Sequence, residues 1–230
     1  MKPAFSTVAC PTWTLETIAK QAAAWGYLGV ELRSEGSAAS TTACDPALTS
    51  ASKVRTLLGA AGVDVVSLGT SIRFDDPISP PVIGRTFLFD QESSVREAKS
   101  AIDLAVQLEC PFVRVFGFEI INMESRRSAI ARIADRLGKA LDYARNSGVK
   151  IALENGGSFA TASQLMEVID ALDHPLLVAS YSPSVAQAAG ESVGNGINVI
   201  GDRLAIARIR DLKNGVPCLL GEGDLGASQA

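Results

Sequence analysis

The 230 residues approach the roughly 250 of a single (β/α)₈ barrel, and 47% hydrophobic with 20% charged residues is a globular composition that excludes a disordered chain. A net charge of −4 without basic clusters argues against a nucleic-acid partner. No apolar run approaches the roughly 18 residues of a membrane helix, and MKPAFSTVACPTWT lacks the continuous apolar segment of a signal peptide, so the expectation is a cytoplasmic protein that binds neither nucleic acid nor membrane.

Along the chain, short β-rich runs alternate with helical segments, the order of parallel strands joined by crossover helices. Ala4–Ala9 reads as a first strand. Thr14 caps a helix whose buried face is Leu15, Ile18, Ala19 and Ala22, with Gly26 at its end. Gly29–Arg33 is a second strand, Ser34–Thr49 a loop, Ser52–Ala61 a helix closed by Gly62, and Val63–Thr70 a third strand. A loop with Asp75, Asp76 and three prolines leads to a helix over Ser94–Leu108. The second half repeats the rhythm: strand Phe112–Phe116, helix Ser125–Asn146, strand Lys150–Glu154, helix Thr161–Leu172 and strand Leu176–Ser182. A Gly-rich, weakly helical connection over Val185–Arg203 leads to a seventh strand, Leu204–Asp211. Cys10, Cys44, Cys110 and Cys218 form no CxxC pair, as expected of reduced thiols.

In barrels of this kind the active site lies at the C-terminal ends of the strands. Glu31, Arg114, Glu154, Asn155, Ser182, Arg208, Arg210 and Asp211 fall on or at the ends of strands, and Glu222 and Asp224 follow in a GEGD segment. Glu31 alternates with Val30 and Leu32 and is expected to face the barrel interior, either as a base or as the partner of Arg114. Arg114 either binds an anionic substrate group or forms a structural ion pair. Trp13 and Phe116 stack on a sugar face or pack in the core. Asp75 and Asp76 read as solvated loop residues. The one histidine, His174, falls between the fifth helix and the sixth strand and reads as a solvated turn residue at the barrel's bottom. With it as the only imidazole, neither a Ser-His-Asp triad nor a His-rich metal cluster can be built.

VELR at 30–33, VRVFG at 113–117, ALENGG at 152–157, RIRDLK at 208–213 and LGEGDL at 220–225 together resemble the sugar phosphate isomerase/epimerase family of xylose-isomerase-like barrels. The resemblance runs from residue 4 to about 225 and implies a TIM-type (β/α) barrel. It also implies a divalent Mn, Co or Mg ion held by Glu, Asp, His and Glu on strands five to eight, whose carboxylates move a proton at the carbon beside a carbonyl. Glu154 matches the first of these ligands. The sixth-strand motif, Asp-Pro-Ser-His in the family, is Ser182-Pro183-Ser184-Val185, and the seventh, His-x-Lys-Asp, is Arg208-Ile209-Arg210-Asp211. The chain stops before the strand of the last Glu. The expectation is therefore a barrel incomplete at the eighth βα unit and without a metal cofactor, since one carboxylate, a serine and an arginine do not make a divalent site.

On this resemblance the chain is a carbohydrate isomerase or epimerase with Glu154 and then Glu31 as catalytic base, and with Trp13, Arg114, Arg208 and Glu222 binding a small carbohydrate or sugar phosphate. The alternatives are a non-catalytic small-molecule binder or partner subunit, or a shortened version of a longer enzyme. Arg208 is expected to take over the charge role of the ion by pairing with Glu154. The open strand edges should be covered by Val216–Leu220 or by a partner subunit, a homo-oligomer included.

Overall fold

The computed structural model describes residues 2–34, 43–76, 92–121 and 123–225. The proline loop at 77–81 and most of the stretch after Ser34 lie outside them. In chain order the strands and α-helices are β1 (Ala4–Ser6), α1 (Leu15–Ala24), β2 (Gly29–Arg33), α2 (Ala51–Ala60), β3 (Asp64–Arg73), α3 (Ser93–Gln107), β4 (Phe112–Phe116), α4 (Arg126–Tyr143), β5 (Lys150–Glu154), α5 (Ala162–Leu172), β6 (Leu177–Tyr181), α6 (Pro183–Ala188), α7 (Val193–Ile200), β7 (Leu204–Ala207), β8 (Asp211–Lys213) and β9 (Val216–Cys218). One sheet holds seven strands in sequence order, β1 to β7, and its β1/β2, β2/β3 and β6/β7 pairs are parallel. This is the TIM-type (β/α) alternation, with no eighth sheet strand among the described residues.

The chain divides into two compact units. The first comprises residues 1–72, 92–115 and 139–151. In it Val30, Leu32, Leu68 and Val113 of the strands and Ile18, Ala22, Val54, Leu58 and Ile102 of the helices are fully or almost fully buried. Each such Val, Leu or Ile side chain contributes about 1.5–3 kcal/mol. α1 and α2 start where small hydroxyls accept orphan N–H groups: Thr14 from Thr17 N at 3.3 Å and Ser50 from Lys53 N at 3.4 Å.

The second unit comprises residues 73–91, 116–138 and 152–230. Leu153, Leu177, Ala179 and Tyr181 are buried with Leu165, Val168, Ile169 and Ile200. Thr161 and Gln164 form a reciprocal capping box at the start of α5.

Several expected elements change. β1 ends at Ser6, and Thr7–Ala9 form a 3₁₀ turn rather than more strand. β3 extends to Arg73, three residues beyond Thr70. The connection after β6 is helical: Pro183 opens α6 and Ser192 caps α7, so local start signals overcome its glycines. The seventh strand ends at Ala207, and Asp211–Lys213 instead form an antiparallel hairpin with Val216–Cys218. Val216, Leu219 and Leu220 are 64%, 72% and 62% exposed, so this segment does not bury its apolar side chains as a cover would.

Candidate functional site

In the second unit, β5 delivers Glu154 as its last residue, with only 7% of its side chain exposed. Asn155 pins this end of β5 to β6. Its Oδ1 accepts from Ser182 N at 2.6 Å, and its Nδ2 donates to Ala160 O at 2.7 Å and Ser182 O at 3.2 Å. The last register pair of β6 and β7 is Tyr181 with Ala207, so Ser182 and Arg208 come next, and Arg208 N donates to Tyr181 O at 2.7 Å. From there the guanidinium of Arg208 reaches Glu154: Nη1 donates to Oε2 at 2.9 Å and Oε1 at 3.2 Å. The pair expected from the sequence is present, but through one nitrogen shared between two oxygens rather than the parallel fork of a bidentate pair.

The first unit holds a second buried ion pair. Arg114, 1% exposed, donates from Nε to Glu31 Oε2 at 3.1 Å, and Ser6 Oγ donates to Glu31 Oε1 at 2.7 Å. Gly69 leaves the space: a Cβ there would lie 3.1 Å from Arg114 Nη2 and 3.1 Å from the Glu31 carboxyl carbon. Of the two readings of Glu31, the geometry shows the ion pair with Arg114.

Trp13 packs against Trp25, with ring centroids 5.8 Å apart, in a cluster with Phe5 and Tyr27. Phe116 meets Phe118 edge-on at 5.4 Å. Glu222 is exposed, while the turn that carries it wraps Asp211. Asp211 accepts from the backbone N–H of Gly221, Gly223, Leu225 and Leu212. Desolvation pushes its carboxyl up, but these four bonds together hold it below the usual aspartate range. His174 sits in the turn before β6, where Nδ1 accepts from Leu176 N.

Asp75 is not a solvated loop residue. It is 7% exposed, takes both Nε and Nη2 of Arg73 at 3.1 and 2.5 Å, and accepts from Glu119 N at 3.1 Å. Arg73 in turn lies 4.4 Å from the ring centroid of Phe118, a residue with φ +82°. The sequence signal for this cluster was Arg73 two residues before Asp75, which puts both on one side of an extended segment. Tyr181 is a second residue missed: desolvation first, then Glu191, raises its phenol above the ordinary range, so it stays the donor to Glu191 Oε2 at 3.0 Å.

The donors beside Glu154 do not fit a divalent ion. Ser182 offers a neutral hydroxyl, and Arg208 places a cation 2.9 Å from the carboxylate. Among the described residues, no group of three or more His, Cys, Asp or Glu side chains is placed to hold a metal.

The family model of the xylose isomerase-like TIM barrel matches residues 19–225. The chain belongs to this family. No curated protein matches its sequence. Among solved structures, the probable 3-DHS dehydratase AsbF of Bacillus anthracis superposes with TM-score 0.80 at 14% identity, over 100% of this chain and 87% of that one. A xylose isomerase domain protein from Planctomyces limnophilus gives 0.72 at 18%, over 98% and 83%. The 3-keto-D-glucoside 4-epimerase YcjR of E. coli gives 0.74 at 13%, over 98% and 84%. At such identities the likeness is one of fold.

Proposed function

We propose that this chain is a sugar isomerase or epimerase that acts on a small carbohydrate without the family's usual divalent ion. One observation carries the reading: a buried carboxylate, Glu154, ends β5 with its charge balanced by a guanidinium rather than by metal-ligating side chains. An isomerase or epimerase needs a base at the carbon beside a carbonyl, and a carboxylate held in a partly desolvated site meets that need. In this reading Glu154 takes the proton and, in an isomerisation, returns it to the neighbouring carbon; an epimerisation needs a second donor on the opposite face of the same carbon. Arg208 stabilises the oxygen on which charge develops, the electrostatic part otherwise supplied by an ion. Glu31 and Arg114 hold each other in place. Epimerase neighbours such as YcjR support a sugar substrate. The four free cysteines and the lack of any helix long and apolar enough to cross a membrane, among the described residues, support a place in the cytoplasm.

The second reading is a non-catalytic binder. The same ion pair favours it, because Arg208 occupies the carboxylate that catalysis would need. Incubating the protein with ketohexoses and separating the epimers chromatographically decides between them. Turnover that disappears in Glu154→Gln supports the enzyme, and sugar binding without turnover supports the binder.

A further inference from the structure

We infer that Phe118, just after β4, is a specificity-determining residue of the site: its ring is the wall against which the hydrogen-bearing face of the sugar packs while Glu154 acts on a carbon beside it. The inference rests on the proposed function and deepens it. Three observations carry it.

The first is place. Gly156 follows Glu154 by two residues, and the ladder of β5 with β6 continues between them, because Asn155 N donates to Ser180 O at 3.3 Å. Alternate residues of an extended segment face the same side, so a side chain at 156 would point where Glu154 points. The ring of Phe118 fills that space: a Cβ on Gly156 would lie 3.3 Å from Phe118 Cε2 and 3.8 Å from Cδ2. The sequence pointed instead to Phe116 and Trp13. Phe116 meets Phe118 edge-on at 5.4 Å, and Trp13 packs on Trp25 in the first unit.

The second is strain. Phe118 has φ +82°, in the left-handed region, where phenylalanine lacks the short polar side chain that makes Asn and Asp tolerable. Its neighbours hold it there. Ser158 N donates to Phe118 O at 2.8 Å, and Glu119 N donates to Asp75 Oδ2 at 3.1 Å. Ser158 Oγ accepts from Ile120 N at 3.1 Å and donates to Glu119 Oε2 at 2.8 Å. Gly157 is left-handed as well, at φ +54°, and Phe118 O occupies the space of its missing Cβ. Backbone strain that the surroundings enforce in this way clusters at active sites.

The third is rigidity. The guanidinium of Arg73 lies 4.4 Å from the ring centroid of Phe118, and its Nε and Nη2 both donate to Asp75, at 3.1 and 2.5 Å. A ring backed by a fixed cation presents one orientation to an arriving molecule. Such a wall reads shape rather than charge. The C–H face of a sugar packs on it, whereas a hydroxyl turned toward it gives up water without gaining a partner. Sugars that differ only in the direction of one hydroxyl are thereby told apart.

Steady-state kinetics of the full chain on D-fructose, D-psicose, D-tagatose and L-sorbose test this, since the last three each differ from D-fructose at one carbon. Phe118→Gly removes the ring and suits the backbone, Phe118→Asn also tolerates a positive φ, and Phe118→Tyr keeps the ring. The expected result is that the ratio of kcat/KM between the best and the worst of the four sugars falls about tenfold or more in Phe118→Gly and Phe118→Asn, and stays within about twofold in Phe118→Tyr. Thermal melts establish that each variant folds. A merely structural ring would lower all four values by one common factor and leave the ratio where it was. That result, or an unchanged ratio without any loss, overturns the inference and leaves the sugar-processing reading standing. No turnover of any of the four by the unaltered chain overturns both.

Discussion

Arg208, the residue after β7, donates one guanidinium nitrogen to both carboxylate oxygens of Glu154 at the end of β5, at 2.9 and 3.2 Å. Truncating the arginine deprives a buried carboxylate of this partner. Arg208→Ala should therefore destabilise the protein by about 1–3 kcal/mol, less than for a fully buried pair because the guanidinium is partly solvated. Urea unfolding measures it, and Glu154→Gln should cost less, since it removes the charge rather than its partner.

Restoring the family's imidazole should not restore the family's ion. Arg208→His adds one imidazole beside Glu154, but Ser182 still offers only a neutral hydroxyl at the position where the resemblance implies an aspartate. Elemental analysis after dialysis against Mn²⁺ should find no stoichiometric metal in this variant.

The Glu31–Arg114 pair depends on an absent Cβ. Gly69→Ala would put a methyl 3.1 Å from Arg114 Nη2 and from the Glu31 carboxyl carbon. Both partners are almost fully buried and have little room to yield. The expected loss is about 1–3 kcal/mol in urea unfolding, as for other overpacked sites.

Acid should loosen the C-terminal hairpin. Asp211 is held below its ordinary value of 3.8 by backbone N–H groups, with burial opposing them. A depressed folded pKa means that its stabilisation is complete above 3.8 and is lost as pH falls through the lower folded value. Hydrogen exchange of the Gly221, Gly223 and Leu225 amides should speed up over that window, and Asp211→Asn should flatten the dependence.

Much of the fold was legible because the period of burial was legible. The ranges of β2, β4 and β5 match the sequence reading residue for residue, since each is a short apolar run bounded by loop residues. The C-terminal hairpin carries its own sequence signal. Asn214-Gly215 joins β8 to β9 with φ of +52° and +79°, the two-residue turn that this dipeptide favours. The apolar content of Leu204–Asp211 hid it by suggesting one long strand. Of the site, the Glu154–Arg208 pair was expected because Arg208 falls where the family resemblance implies an inward ligand, and because a buried charge needs a balancing partner. The burial of Asp75 was not, because it depends on Glu119, which is 44 residues away in the chain. Nor was the packing of Trp13 on Trp25, which lie on either side of α1.

The most direct test of metal-independent proton transfer at Glu154 is solvent exchange. Protein dialysed against chelator is incubated with D-fructose, D-fructose 6-phosphate and D-gluconate-derived keto sugars in D₂O, and NMR follows the hydrogen on the carbon beside the carbonyl. The account predicts deuterium incorporation with no added metal, and none in Glu154→Gln. Exchange that appears only after Mn²⁺, Co²⁺ or Mg²⁺ is supplied, or that proceeds at the same rate in Glu154→Gln, contradicts it.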